Sequence, residues 1–409
     1  MSSSARRDFL RFLAASPLAS YAFAQDITIN SAKDAINVMD FEPLAKKALP
    51  PAHWGYLSTG VDDDATLRAN REAFAHFQIR ARRLVDVSKV DLSTTVFGAK
   101  WDVPFYVSAV GAQQAFHVDG ELATARAAKS QKVMQMLSTV SSFSVEDVTK
   151  NLGTAPWYQL YMPANWPDTE KMVKRAEDAG CPVLAWTIDL LAGRNTETGQ
   201  RFARQDNREC LTCHVTHPIT GNVVVRNRTR PMFAGLSGEM NPSMADWRYV
   251  DRLKKMTKMK LVLKGIDTAE DARLAREHGV DGIIISNHGG RAAETGRGTL
   301  DILPEVIDTV GPQLPVFVDG GFRRGTDIFK ALAIGARAIG IGRPCMWGLA
   351  TFGQPGVERT LEILRAELSL TMRQCGVPSV AQVTRAAVLR NGARLSAPRA
   401  TATSPTPSK

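Results

Sequence analysis

An imidazole and a guanidinium follow one apolar run of the sequence at close spacing. His288 and Arg291 come just after the run Gly282–Ser286, and two glycines separate them. Histidine can accept a proton near neutral pH, and arginine can hold a carboxylate through two parallel hydrogen bonds. A lone histidine usually has a structural role, but the glycines and the paired arginine favour a site that binds an acid and removes a proton from it.

Two glycine-rich turns that carry arginines indicate an anion site. Asp319–Gly321 is followed by Arg323, and Gly342 is followed by Arg343. Glycine lets backbone amides approach an anion, and arginine adds charge-assisted hydrogen bonds. We therefore expect these turns to bind a phosphate, with two solvated surface turns as the alternative.

A lysine after a buried run adds a fixed positive charge. Lys264 follows Leu261–Leu263, where it could stabilise an anion that forms on a ring cofactor. A surface lysine with its stem along apolar side chains is the alternative. A base, a carboxylate clamp, a phosphate site and a cation together predict oxidation of a 2-hydroxy acid by a bound, phosphorylated cofactor.

The elements that must position these residues are eight short β-rich runs that alternate with helical patterns such as Thr268–His278 and Gly325–Ile334. This alternation predicts a (β/α)₈ TIM barrel, in which the carboxyl ends of all strands meet at one face. The predicted strands are Val103–Ser108, Val133–Leu137, Trp157–Leu160, Val183–Ile188, Lys260–Leu263, Gly282–Ser286, Val316–Val318 and Ala338–Ile341.

Composition limits the class of protein. The 409 residues include 51 Lys and Arg against 41 Asp and Glu, which gives a net charge of +10. The basic residues are spread along the chain, which suits a small anionic substrate better than a nucleic acid. The five cysteines are odd in number and irregular in spacing, so they do not describe a disulfide framework. No apolar run is long enough to span a membrane.

The two ends of the sequence differ from the rest. Residues 1–24 read as a twin-arginine signal peptide, with Arg6-Arg7 before an apolar stretch and a small-residue cleavage site at Ala22–Ala24. An amphipathic N-terminal helix is the alternative. This reading predicts export to the periplasm, a barrel over residues 25–395, and a disordered tail over residues 396–409.

A long insertion interrupts the fourth βα unit. Residues 193–246 show no sustained helix or strand period, which indicates a lid over the barrel mouth. The insertion contains Cys210, Cys213 and His214 in a C-x-x-C-H arrangement, the signature of c-type haem attachment. A local disulfide, or zinc held with His217, would use the same residues. Since the insertion is short for a cytochrome module, the sequence favours a structural pair over haem c or a metal.

Several of these stretches together closely resemble the FMN-dependent 2-hydroxy-acid dehydrogenase and oxidase family, which includes glycolate oxidase, lactate oxidase, mandelate dehydrogenase and flavocytochrome b2. The resemblance runs from about Asp34 to about Arg385. It is carried by Tyr56–Gly60, Trp157–Tyr161, Leu263–Gly265, Ser286–Arg291, Val318–Gly321, Arg323–Gly325 and Ile341–Pro344.

The resemblance implies a role for each matching residue. His288 corresponds to the family's base and Asp189 to the residue that orients it. Tyr56 and Arg291 correspond to the ligands of the substrate carboxylate, and Tyr161 lies beside the reacting hydroxyl. The residues implied to bind FMN are Ala109, Val110, Gly111, Ser138, Gln159, Thr187 and Lys264. Those implied to bind its phosphate are Asp319, Gly320, Gly321, Arg323, Gly342 and Arg343.

Three positions depart from the family pattern or distinguish its members. Arg194 is displaced by one residue from the family's second carboxylate-binding arginine, which leaves recognition by two arginines open. Val140 stands where glycolate oxidase has a tryptophan, so a side chain larger than that of glycolate should fit. Gly111 stands where oxidases tend to have alanine and dehydrogenases glycine.

We therefore predict oxidation of an L-2-hydroxy acid, lactate-like or larger, to the 2-oxo acid by a dehydrogenase that passes electrons to a quinone or cytochrome. An oxygen-using oxidase, a non-redox FMN isomerase and a binding protein that has lost catalysis are the alternatives. Family members are commonly tetrameric, so we also expect a homo-oligomer.

Overall fold

The computed structural model describes residues 29–208, 230–237 and 240–392. The predicted signal peptide over residues 1–24, the predicted tail over residues 396–409, and Cys210, Cys213, His214 and His217 lie outside these ranges.

Eight parallel strands close into a barrel, which confirms the predicted fold. The barrel strands are β4 (Phe105–Val107), β5 (Met134–Ser138), β6 (Trp157–Leu160), β7 (Val183–Thr187), β8 (Lys260–Ile266), β9 (Gly282–Ile285), β10 (Val316–Val318) and β11 (Ala338–Ile341). Their order around the barrel is β10-β11-β4-β5-β6-β7-β8-β9, and every neighbouring pair is parallel. Two small antiparallel sheets flank the barrel, one from β1 (Phe77–Ile79) and β12 (Val388–Arg390), the other from β2 (Thr94–Val96) and β3 (Ala99–Trp101).

The sequence forms these strands because parallel strands in a barrel are buried on both faces and therefore appear as continuous apolar runs. All four residues of β9 and all five of β7 are buried. Tyr106, Met136, Trp157 and Phe317 fill the barrel interior, and Phe97 of the β2–β3 hairpin packs against Trp157 at a ring distance of 5.6 Å.

Helices surround the barrel, and most of them bury one face. In one of them, Ala269–Glu277, the Thr268 hydroxyl accepts a hydrogen bond from the backbone N–H of Asp271 (3.2 Å) and so caps the first turn. The helices are α1 (Phe41–Ala48), α2 (Pro51–Ser58), α3 (Ala65–Glu72), α4 (Gly120–Ser130), α5 (Val145–Leu152), α6 (Trp166–Asp178), α7 (Glu197–Ala203), α8 (Trp247–Met256), α9 (Ala269–Glu277), α10 (Thr299–Val310), α11 (Gly325–Ile334), α12 (Arg343–Phe352) and α13 (Gln354–Gln374). Within the described ranges, none of them has the length and apolar character needed to cross a bilayer.

The fourth βα insertion differs from its sequence expectation. Residues 193–246 were expected to lack regular structure, yet α7 lies inside this range and packs on α2. The approach is close because α2 has a glycine at the contact: a Cβ atom at Gly55 would lie 2.4 Å from Cβ of Phe202. A two-turn helix carries too short a period to be recognised from sequence, and packing supplies its stability.

Candidate active site

Loops at the carboxyl ends of the barrel strands form one cleft, as the barrel fold requires. The cleft encloses about 760 Å³, part of which is open to solvent. Of the predicted site residues, the following line it: Tyr56, Ala109, Val110, Gly111, Tyr161, Lys264, His288, Arg291, Asp319, Gly320, Gly321, Arg323, Gly342 and Arg343. The structure therefore brings together residues from both ends of the sequence.

His288 lies between a carboxylate and a phenol. Its Nδ1 is 3.0 Å from Oδ1 of Asp189, and its Nε2 is 3.0 Å from the hydroxyl of Tyr161. His288 has a positive φ of 58°, which is uncommon for a residue with a side chain, and its backbone N–H donates to the Ser286 hydroxyl at 3.1 Å. A strained residue held by its neighbours at a strand end is typical of active sites.

A bulge in β8 makes room for the carboxylate that holds His288. The register of β8 against β9 shifts between Lys264 and Ile266, and Gly265 at the bulge has a φ of 109°. A Cβ atom at Gly265 would lie 2.6 Å from Cβ of Asp189. Only glycine fits this position, because both the φ angle and the distance exclude a side chain.

Electrostatics set the protonation of these three groups. Burial raises the pKa of Asp189, but the attraction of His288 and Lys264 outweighs burial and leaves that pKa below its usual value. Burial lowers the pKa of His288 more than Asp189 raises it. Burial also raises the pKa of Tyr161. Near pH 7, Asp189 is therefore a carboxylate, His288 a neutral imidazole and Tyr161 a phenol.

These protonation states assign the hydrogen bonds. Nδ1–H of His288 donates to Asp189, because a carboxylate can only accept. The Nε2 lone pair is then directed into the cleft, where it accepts from the Tyr161 hydroxyl. The arrangement can take up a proton at Nε2, and the Asp189 carboxylate would stabilise the resulting imidazolium.

Arg291 and Tyr56 form the second part of the site. The Arg291 guanidinium carbon lies 4.4 Å from the centre of the Tyr56 ring, and Nη1 donates to the carbonyls of Tyr56 and of Thr59, the latter at 3.1 Å. Burial and the neighbouring charge of Arg194 lower the pKa of Arg291, yet a guanidinium stays charged at neutral pH. Within the described ranges its charge is not paired with a carboxylate, so the cleft attracts an anion.

Arg194 lies at the rim of the cleft. Its Nη1 donates to the Arg291 carbonyl at 3.4 Å, and its side chain is exposed. Its charge reaches the site, since it lowers the pKa of both His288 and Arg291.

Lys264 belongs to a buried chain of polar groups. Its Nζ donates to the Ser286 hydroxyl at 2.9 Å, that hydroxyl donates to Oδ1 of Asp319 at 2.6 Å, and Nζ lies 3.6 Å from Oδ2 of the same carboxylate. The Lys264 side chain is only 6% exposed, which is possible because the charge is paired. The lysine is therefore held in the cleft and does not extend to solvent.

Three predicted cofactor residues lie together but outside the lining of the cleft. The Ser138 hydroxyl donates to Oε1 of Gln159 at 3.0 Å, and Nε2 of Gln159 donates to the Thr187 hydroxyl at 2.9 Å. These hydrogen bonds connect the ends of β5, β6 and β7, and all three side chains are buried.

Two guanidiniums lie at the other end of the cleft, and that of Arg323 is buried while that of Arg343 is partly buried. Arg323 stacks over Trp347 at 4.6 Å and donates to the Phe322 carbonyl at 2.8 Å. Arg343 donates to the carbonyls of Leu57 (2.6 Å), Gly289 (2.8 Å) and Thr59 (2.9 Å).

Burial lowers the pKa of each of these arginines to about 10, and Arg323 further lowers that of Arg343. Nearby Asp327 and Glu367 pair with Arg71 and Arg324 instead. Two cations that repel each other in a buried place require an anion, and a phosphate would supply it.

The family follows from comparison with known proteins. The family described as FMN-dependent dehydrogenase matches residues 45–390. The chain belongs to this family. It is 41% identical over 364 residues, 88% of this chain and 97% of the relative, to a peroxisomal (S)-2-hydroxy-acid oxidase of rice, Oryza sativa subsp. japonica. It is 35% identical over 358 residues to an L-lactate dehydrogenase (cytochrome) of Wickerhamomyces anomalus, covering 85% of this chain and 60% of that protein.

Solved structures agree with this assignment. The flavin-binding domain of baker's yeast flavocytochrome b2 superposes with a TM-score of 0.78 at 32% identity, covering 92% of this chain and 94% of that one. The sequence-based prediction of the family, the TIM barrel, FMN as cofactor and an oxidoreductase acting on 2-hydroxy acids is confirmed.

The predicted export of this protein to the periplasm is wrong. The rice relative, over 88% of this chain, is a peroxisomal enzyme, which points to a non-periplasmic protein. The paired arginines and the mildly apolar stretch of residues 1–24 were the basis of that prediction, and the segment lies outside the described residues.

The cleft fits FMN, the cofactor of this family. The buried hydroxyl of Ser108 faces the cleft without a partner in the described ranges and is available to a polar ring. Gly320 and Gly321 have φ angles of 100° and 81° and present bare backbone beside Arg323. The donor set at this end of the cleft suits a phosphate monoester.

The sequence motifs contained Gly265, Ser286 and Asn287, but they assigned no specific role in the site to these three residues. Asn70 gave no signal, because it lies on α3 far from any barrel strand in sequence. Its side chain nevertheless contacts the His288 turn, as described below.

Proposed function

We propose that this enzyme oxidises L-2-hydroxy acids with side chains of lactate size or larger, and that it acts as a dehydrogenase. The observation that carries the proposal is the position of His288 Nε2. It faces a cleft that also contains the Arg291 guanidinium, and Asp189 holds the opposite side of the imidazole. A base and a carboxylate clamp in one cleft are what the oxidation of a hydroxy acid requires.

Each residue has a defined task in this proposal. Arg291 and Tyr56 bind the substrate carboxylate and so place the α-carbon beside His288. Oxidation to the 2-oxo acid releases two protons and two electrons, and His288 Nε2 accepts one of the protons while Asp189 stabilises the charge that results. FMN, when bound, would take up the two electrons together with the second proton. Tyr161 donates a hydrogen bond beside Nε2 and restrains the substrate hydroxyl.

The side chain next to Gly111, which lines the cleft, supports a substrate larger than glycolate. Val140 lies next to Gly111, since a Cβ atom at Gly111 would meet Cγ2 of Val140 at 2.4 Å. A valine at this place occupies much less volume than an aromatic ring. Lactate and larger 2-hydroxy acids are therefore the proposed substrates, and glycolate should bind more weakly because it buries less apolar surface.

The electron acceptor is proposed from Gly111. The absence of a side chain here is compatible with a dehydrogenase, and the relatives include both an oxidase and a cytochrome-linked dehydrogenase. We propose a quinone or a cytochrome as acceptor. Oxygen is the second candidate, because the rice relative is an oxidase.

Anaerobic stopped-flow reduction of the bound flavin tests the proposal. Glycolate, L-lactate, D-lactate, (S)-mandelate and a longer L-2-hydroxy acid would be mixed with the holoenzyme, and the reduced enzyme then mixed with air or with a soluble quinone. We expect fast reduction by the L-acids larger than glycolate, none by D-lactate, and faster re-oxidation by quinone than by air. Flavin that stays oxidised with every acid would contradict the redox function and favour an FMN isomerase.

A further inference from the structure

A pair of buried asparagines joins the His288 turn to an N-terminal helix. Asn70 on α3 and Asn287 before His288 are 1% and 3% exposed. Nδ2 of Asn70 donates to Oδ1 of Asn287 at 2.9 Å, and Nδ2 of Asn287 donates to Oδ1 of Asn70 at 2.9 Å. Such a reciprocal amide pair fixes both side chains, because neither can rotate without breaking two hydrogen bonds in a buried place.

Asn287 also shapes the turn that carries His288 and Arg291, while its Nδ2 donates a further hydrogen bond to the Arg297 carbonyl at 3.1 Å. Its Oδ1 accepts from the backbone N–H of Gly290 at 2.9 Å, and its carbonyl accepts from the N–H of Arg291 at 3.0 Å. The orientation of the Asn287 amide therefore determines where the base and the carboxylate clamp lie.

Asn70 also contacts the phosphate end of the cleft. A Cβ atom at Gly321 would lie 2.3 Å from the Asn70 carbonyl oxygen, and one at Gly320 would lie 3.1 Å from Oδ1 of Asn70. The same Oδ1 accepts from the N–H of Thr299 at 3.1 Å, and the Thr299 hydroxyl donates to the Gly320 carbonyl at 3.4 Å. The turn Gly320–Gly321, which we call the phosphate turn, therefore packs directly against Asn70.

Helix α3 approaches the neighbouring loops closely only because they contain glycine. A Cβ atom at Gly290 would lie 2.5 Å from Cα of Leu67, and one at Gly298 would lie 2.5 Å from the carbonyl oxygen of Ala69. Together with Gly321, these glycines let one face of α3 touch both the His288 turn and the phosphate turn. A packed helix between two turns fixes their separation, since packed interiors do not deform continuously.

We propose that Asn70 is a positioning residue that sets the distance between the His288–Arg291 turn and the Gly320–Gly321 phosphate turn, and so places the substrate relative to the cofactor. The proposal rests on the function proposed above for His288 and Arg291. It assigns to the N-terminal segment a role in alignment of the site, although Asn70 itself is not among the residues that line the cleft.

Flavin affinity separates this role from a purely structural one. Riboflavin lacks the phosphate of FMN, so the ratio of the two dissociation constants reports the phosphate turn. Asn70→Asp keeps the shape and both accepting contacts but places a negative charge against Gly320. We expect the FMN dissociation constant of the apoprotein, measured by flavin fluorescence, to rise roughly tenfold more than that of riboflavin, because like charges repel in a buried place. Asn391→Asp, at an exposed asparagine, is the matched control and should change neither constant.

Asn70→Ala tests whether Asn70 aligns the His288–Arg291 turn with the cofactor. It leaves the Asn287 amide without its partner, and we expect flavin reduction by L-lactate at saturating substrate to slow by about tenfold or more through lost alignment. If Asn70→Asp lost affinity for FMN and for riboflavin equally, or changed neither affinity, the proposal would be overturned. Because the affinity ratio needs no hydroxy acid, it still tests Asn70 if wild-type flavin is not reduced and the proposed function fails.

Wild-type protein provides a test that does not depend on variants that fold. The N–H groups of Gly290 and Thr299 donate to Asn287 and Asn70, one on each side of the amide pair. We expect FMN to slow hydrogen exchange at both amides, and riboflavin to slow it less. FMN could instead slow hydrogen exchange at the Thr299 amide and leave exchange at the Gly290 amide unchanged. That result would show that the two turns are independent and would contradict the proposal.

Discussion

The carboxylate of Asp189 lies 3.0 Å from Nδ1 of His288, and this contact decides which nitrogen of the imidazole faces the cleft. With Nδ1–H donated to Asp189, the Nε2 lone pair is directed towards Tyr161 and the space for substrate. Burial lowers the pKa of His288 and keeps its imidazole neutral, and the Asp189 carboxylate stabilises the imidazolium once it forms. The contact between Asp189 and His288 therefore sets both the direction of the Nε2 lone pair and the stability of the imidazolium.

Replacement of His288 should separate cofactor binding from chemistry. In His288→Gln we expect FMN to stay bound, because the predicted phosphate ligands lie elsewhere in the cleft, while flavin reduction by L-lactate slows by about 10²- to 10⁴-fold. Anaerobic stopped-flow absorbance measures the rate, and the exposed His76→Gln is the control. Retention of fast reduction in His288→Gln would show that another group takes the proton.

The pH dependence of kcat/KM should follow the lowered pKa of His288. Burial holds that pKa below 6.5, so the free enzyme should gain activity as pH rises through an apparent pKa on the acid side of 6.5 and then level off. Asp189→Asn removes the charge that raises the His288 pKa, so the midpoint should move to still lower pH while the plateau falls. A midpoint above 6.5, or one that does not move in Asp189→Asn, would contradict the assignment.

Gly111 and Val140 should behave as a coupled pair. A Cβ atom at Gly111 would lie 2.4 Å from Cγ2 of Val140, so Gly111→Ala is expected to cost about 1–3 kcal/mol of stability through overpacking. Val140→Ala removes the obstructing methyl groups, and Gly111→Ala with Val140→Ala should unfold at a higher temperature than Gly111→Ala alone. Thermal unfolding of the four proteins measures this coupling, and strict additivity would show that the two side chains do not meet.

Arg291 should contribute mainly to substrate binding. Arg291→Lys keeps a charge but loses the fork that grips a carboxylate, and we expect KM for L-lactate to rise by about 10- to 100-fold, with a smaller change in kcat. The competitive binding of oxalate, which is not turned over, should weaken to the same extent. Arg297→Lys, at an arginine paired with Glu305, is the control. Unchanged oxalate binding in Arg291→Lys would place the clamp elsewhere.

The amino-acid sequence by itself determined the barrel and which polar residues lie at its carboxyl end. Strands buried on both faces must be continuous apolar runs, so β7, β9 and β10 were visible as such, and polar residues at their carboxyl ends had to share one face. His288 and Arg291 are neighbours along the chain, so their proximity needed no tertiary information.

Only the tertiary structure decided the contacts between distant segments. Asn70 and Asn287 are 217 residues apart, and nothing in the local pattern of either predicts a shared pair of hydrogen bonds. The same holds for α7, whose two turns are stabilised against Gly55, and for the bulge at Gly265 that admits Asp189. Periodicity reports which face of an element is buried, but the partner of that face is set by how the backbones pack, and that information is spread over the whole chain.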